Sequence, residues 1–85
     1  MVVYVLSIVW QFDSGECGSD VLVYDSIEKA EKQLKREIKN AKKDMAHFDI
    51  DETQFVDGDM SYSIWEKENY CYNHIDIAVT ESQVY

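Results

Sequence analysis

The segment from Ile27 to Phe48, IEKAEKQLKREIKNAKKDMAHF, constrains the chain more than any other stretch. Its apolar residues Ile27, Ala30, Leu34, Ile38, Ala41, Met45 and Phe48 recur at steps of three or four. That period gathers them into one stripe of an α-helix. At about 100° per residue, Lys29, Lys32, Arg36, Lys39 and Lys43 fall on the opposite side. The spacing predicts a helix over 27–48, apolar beneath and basic above. Asp25 or Ser26 is the expected N-cap, and Asp25 has Glu28 three positions on, the capping-box spacing. Elsewhere the chain reads as strand or turn.

Val2 to Phe12 alternates with period two. Val2, Tyr4, Leu6, Ile8, Trp10 and Phe12 share one face, and Val3, Val5, Ser7, Val9 and Gln11 the other. A long strand of this kind belongs at the centre of a sheet. The segment 13–19, with two glycines among polar residues, predicts a hairpin loop, and 20–24 its return strand. The segment 49–59 has five acids in eleven residues and is the least regular; Asp57-Gly58 marks a turn in it. Two further strands are expected at 60–67 and 71–81. The order strand, strand, helix, strand, strand predicts one domain over 1–85. It is an α+β ββαββ fold, a four-stranded antiparallel sheet with the helix on one face. The expected strand order is first hairpin, then third and fourth strands, 2-1-3-4.

Such a fold buries Tyr4, Leu6, Ile8, Trp10, Leu22, Tyr24, Ile64, Ile75, Ile77 and Val79 beneath Leu34, Ile38, Met45 and Phe48. The other sheet face then carries Val3, Val5, Val9, Val21, Val23, Trp65 and Ala78. A patch of that kind calls for a cover. The acidic loop, through Ile50, Phe55 and Val56, is one candidate. A partner or a second copy seated on Val3, Val5, Val9 and Trp65 is the other.

Charge is distributed unevenly. Within 27–48, seven basic residues face four acids; outside, Lys67 stands alone against thirteen acids, and the net charge is −9. An acidic body disfavours direct binding of nucleic acid, whose phosphates it repels, and favours a basic protein surface. The helix ridge has no interleaved aromatics on which bases would stack. No apolar run approaches the ~20 residues of a membrane helix. The opening lacks the basic residues of a signal peptide, so a cytoplasmic location and no membrane partner are expected.

Chemistry-bearing patterns are few. Cys17 sits on the first hairpin and Cys71 at the start of the last strand. These turns are expected at opposite ends of the sheet, beyond the ~5.5 Å Cα separation of a disulfide, so both should be free thiols. Cys71 and His74, three apart in a strand, point to opposite faces and make no nucleophile–base pair. Asp57, Asp59, Ser61, Ser63 and Glu68 have the oxygen spacing of a calcium loop, but Tyr62 occupies the position that requires glycine. Asp49, Asp51 and Glu52 have no pocket-forming neighbours to make acid–base catalysts of them. A non-enzyme without metal or cofactor is expected.

The stretches VVYVLSIVWQFDSGE and VLVYDSIEKAEKQL resemble small acidic proteins of phages and other mobile elements of gut bacteria. The likeness lies in an aromatic-rich first strand, an acidic hairpin, and the helix entry Val23, Tyr24, Asp25, Ser26, Glu28, Lys29 and Ala30. SYSIWEKENYCYNHIDIAV is similar to their closing hairpin. These motifs are structural, and no catalytic residue is carried over with them. Some proteins of this class inhibit host defence, anti-CRISPR proteins among them, and several imitate DNA. The resemblance implies a cytoplasmic anti-defence protein of a bacterial host, with a nucleic-acid-binding protein as its target.

The expected contact surface is the acid-rich set of loops. It comprises Asp13, Glu16 and Asp20 on the hairpin, Asp49, Asp51, Glu52, Asp57 and Asp59 on the long loop, and Glu66 and Glu68 on the last turn. Strand positions two apart stand about 6.6 Å from each other, a spacing comparable with that of phosphates along a nucleic-acid strand. The alternative is an adaptor or homodimer working through the apolar sheet face.

Overall fold

The computed structural model of the chain describes residues 1–68 and 73–84. Among these residues five strands and one helix follow in the order β1 (Val2–Gln11), β2 (Cys17–Tyr24), α1 (Ile27–Asp44), β3 (Ile50–Glu52), β4 (Ser61–Glu66) and β5 (His74–Gln83). All strands join one antiparallel sheet, ordered β2-β1-β5-β4-β3. The α+β class and the single helix agree with the sequence; the sheet has five strands where four are expected.

The extra strand, β3, lies in the segment that reads as irregular. Asp51 pairs with Trp65, and Thr53 N–H donates to the Ser63 carbonyl at 2.9 Å. Its bonding is through the backbone, so three residues at a sheet edge carry no apolar alternation to betray them.

The strand order also departs from 2-1-3-4, because β5 lies between β1 and β4. β5 pairs with β1 from Val2↔Gln83 to Gln11↔His74 and with β4 from Ser61↔Ala78 to Trp65↔His74. Ile75, Ile77 and Val79 are buried. The longest strand pairing thus joins the two longest strands, ten residues each, at the centre. The helix connects β2 at one edge to β3 at the other. Eighteen residues rise about 27 Å, and four interstrand gaps span about 19 Å, so one helix suffices to cross the sheet.

The helix begins at Ser26, whose Oγ accepts from Lys29 N–H at 3.3 Å. Asp25 does not cap; it pairs with Lys29 Nζ at 2.9 Å, and that ammonium holds its carboxyl below the ordinary range. The helix ends at Asp44, four residues short of Phe48. Met45 N–H still donates to Ala41, but Phe48 N–H turns back to the Met45 carbonyl at 3.1 Å. The apolar period survives this turn because Met45 is buried and Phe48 packs against the core from outside the helix.

Leu6, Ala30, Leu34, Ile38, Ala41, Met45, Ile64, Ile75, Ile77 and Val79 form the core, with Tyr62 added. Tyr62 is 1% exposed. Leu22, expected inside, is 39% exposed because the helix leaves edge strand β2 only partly covered. Ile50 and Phe55 pack against the helix-side core, so the acidic segment does not cover the opposite face. That face keeps Val9, Val21 and Val23 exposed and Val3, Val5, Trp65 and Ala78 half-buried.

Candidate functional site

The first hairpin closes through Gly15, whose φ of +91° favours a residue without Cβ. Phe12 N–H donates to the Glu16 carbonyl at 2.8 Å and Gly15 N–H to the Phe12 carbonyl at 3.0 Å. The hairpin is stapled to the end of β4 by Asn73, the one fully buried polar residue among those described. Its Oδ1 accepts from Asp13 N–H at 3.1 Å, and its Nδ2 donates to Glu66 Oε1 at 3.1 Å. Hairpin and β5 start therefore lie at the same end of the sheet. This overturns the expectation that the two turns oppose each other. The central position of β5 is the reason. Cys17 is exposed and free; Cys71 lies outside the described residues.

Between this hairpin and the second half of α1 runs a cleft of about 260 Å³. Ile8, Trp10, Phe12, Ile75 and Ile77 form its floor. Glu16, Asp20, Glu37 and Asp44 stand at its rim. A second hollow continues past Phe12 and Asp44 to His47 and Phe48. The cleft alone falls below the ~300–1,000 Å³ of typical small-molecule sites, and the adjoining hollow of about 440 Å³ lies within that range.

The sequence places the acids here by parity. Asp20 pairs with Ile8 in register, so it shares the helix side with Leu22 and Tyr24. Gly18 pairs with Trp10 and leaves room for the indole to lie over it. Glu37 accepts from Gln33 Nε2 at 2.8 Å. Glu16, Asp20 and Asp44 enter no ion pair among the described residues. Glu37 and Asp44 lie outside the expected acidic set, because helical spacing alone does not say which end of the sheet a helix turn overlooks.

The expected acidic set is thus divided. Asp13, Glu16 and Asp20 converge on the hairpin end, with Glu66 half-buried behind them in its bond to Asn73. Glu68 is exposed beyond β4. The acids of the long segment are engaged within the fold. Lys35 meets Asp57 at 3.2 Å, Lys42 meets Glu52 at 3.6 Å, and Lys67 meets Asp49 at 3.8 Å. Asp51 accepts from Glu52 N–H and Asp59 from Val56 N–H, both at 2.9 Å. Glu52 belongs to β3, and its Oε2 accepts from the Tyr62 hydroxyl at 2.9 Å. Burial pushes the Tyr62 phenol well above its ordinary range, and the Glu52 bond and charge push the same way. Lys42 Nζ stands 5.9 Å from the centre of the Tyr62 ring.

The helix ridge of Lys32, Arg36, Lys39 and Lys43 is exposed on the outside of α1. Asp57 and Asp59, weighed as calcium ligands, are turned to Lys35 and to backbone, and no group of three or more candidate metal ligands occurs among the described residues. Among the described residues no helix is long and apolar enough to cross a membrane. Comparison with known protein families, with curated proteins and with solved structures finds no match to the chain.

Proposed function

We propose that the chain is a non-enzymatic, protein-binding inhibitor of a bacterial defence nucleoprotein, anti-CRISPR-like in its mode of action. Its acidic hairpin end seats in the groove where the target holds nucleic acid. One observation carries this reading. Glu16, Asp20 and Asp44 surround an aromatic-floored cleft without a cation of their own, while lysines meet several acids of the long segment. Carboxylates without internal partners present their charge to a basic surface. The contact surface accordingly moves from the long loop to the hairpin and the adjoining helix turn.

The test is to recover a partner from host lysate on the immobilised chain, in parallel with a Glu16→Gln, Asp20→Asn, Asp44→Asn variant. A partner held by the wild type alone is then assayed for DNA and RNA binding with the chain added. Displacement of nucleic acid, with an affinity that falls steeply with salt, is the expected result. Binding indifferent to salt and to all three neutralisations would sink the reading. Loss of binding on neutralising Lys32, Arg36, Lys39 and Lys43 would instead assign the contact to the helix ridge.

A second reading, an adaptor or homodimer using the open sheet face, is favoured by the exposure of Val9, Val21 and Val23. Sedimentation of wild type and a Trp65→Ala variant at micromolar concentration distinguishes it. A wild type that associates and a variant that does not would support this face.

A further inference from the structure

The two edges of the sheet are built differently. β3 has three residues, two of them acidic, and short charged edges resist pairing with another strand. β2 has eight residues and a single charge, Asp20. The Phe12–Glu16 hydrogen bond sets the phase of the hairpin ladder, and the register runs on without a bulge to Tyr4↔Tyr24. Hydrogen-bonded pairs alternate along an antiparallel ladder. Gly18, Asp20, Leu22 and Tyr24 therefore direct N–H and C=O toward β1. Cys17, Ser19, Val21 and Val23 direct theirs outward from the sheet.

This open edge has two unlike sides. On the helix side, Glu16 and Asp20 stand at the mouth of the cleft. On the other, Val21 and Val23 are 61% and 60% exposed. We propose that an extended segment of a basic partner protein adds to β2 as a sixth strand. Its cationic side chains lie on the helix side, by Glu16 and Asp20, and its β-branched side chains lie over Val21 and Val23. Successive side chains of a strand point to opposite faces, so one alternating segment satisfies both sides at once. Main-chain bonds to the edge supply affinity and the alternation supplies specificity. A second copy is the poorer occupant, since each copy carries a net charge of −9 and the pair would repel. The cationic half of the proposal rests on the hairpin end being a site for basic proteins; the strand pairing is tested apart from it.

The probe is a synthetic peptide, KVRVKVRV, compared with KRKRVVVV, which has the same composition without alternation. The alternating peptide is expected to bind about tenfold more tightly, the equivalent of one or two backbone hydrogen bonds. Amide exchange should slow at Cys17, Ser19, Val21 and Val23 when it binds. Val21→Pro removes an N–H that the fold does not use, a change edge strands tolerate, and should cost about tenfold in peptide affinity. Val23→Lys, which places a cation on the edge, should lower affinity as well and serves if the proline variant misfolds. Equal binding of the two peptides, with no protection at those four amides, would overturn the added strand. In that case, weaker binding by Glu16→Gln, Asp20→Asn would leave the acidic site standing without it, and unchanged binding would remove both. Protection of the same amides without peptide, growing with protein concentration, would assign the edge to a second copy and overturn the basic partner.

Discussion

The indole of Trp10 lies across the bare Cα of its register partner Gly18, where an added Cβ would meet Trp10 Cζ2 at 2.6 Å. Glycine is required there by the aromatic floor of the cleft, and the turn conformation plays no part. Gly18→Ala should displace the indole and lower stability by about 1–3 kcal/mol, the usual cost of overpacking. Trp10 fluorescence, read in a Trp65→Phe background, should shift toward the red. An unchanged spectrum and melting temperature would contradict this geometry.

Asn73 bonds the hairpin and β4 together from a buried position. Asn73→Leu removes the acceptor of Asp13 N–H and one donor to Glu66, and should cost about 1–3 kcal/mol. Hydrogen exchange at Asp13 should accelerate more than exchange at β5. Uniform acceleration through the whole sheet would mean that Asn73 supports the fold generally and does not act as a local staple.

The Tyr62 phenol is held neutral by burial and by Glu52. A raised folded-state pKa means that the stabilisation is whole below the unfolded value of 10.0 and is lost as pH rises beyond it. Urea midpoints should therefore stay flat with respect to this group near neutral pH and fall above about pH 10. Tyr62→Phe should remove that alkaline step. If ultraviolet titration showed every tyrosine ionising together in the folded chain, the account of Tyr62 would be wrong.

Among the described residues only the Ser26 side chain accepts a first-turn amide of the helix. Ser26→Ala should cost about 1 kcal/mol. Asp25→Asn should cost less, since the Asp25–Lys29 pair is exposed to solvent and such pairs contribute little. Thermal melts of both variants decide the order; the reverse order would make Asp25 the more important residue of the helix entry.

Much of the fold was legible in the residues themselves. The stripe from Ile27 to Met45 determined the helix and its buried side. Strict alternation determined β1 and β5, and with them which of Leu6, Ile75, Ile77 and Val79 lie inside. Asp20, read as one of the hairpin acids, follows the parity of Leu22 and Tyr24 along β2 and so lies on the helix side. These are local properties, set by backbone periods of 3.6 and two residues, so a linear string carries them. Strand order, the edge strand β3 and the joining of hairpin to β4 through Asn73 are not local. They depend on which strands win backbone partners across the sheet, and backbone bonds leave no signature in side-chain chemistry. The division of the acids has the same origin. Lys35 and Lys42 reach Asp57 and Glu52 because the helix crosses from β2 to β3, a path that only the assembled sheet lays down. The composition of this chain made it acidic; the tertiary structure decided which acids meet a lysine and which stand at the mouth of a cleft.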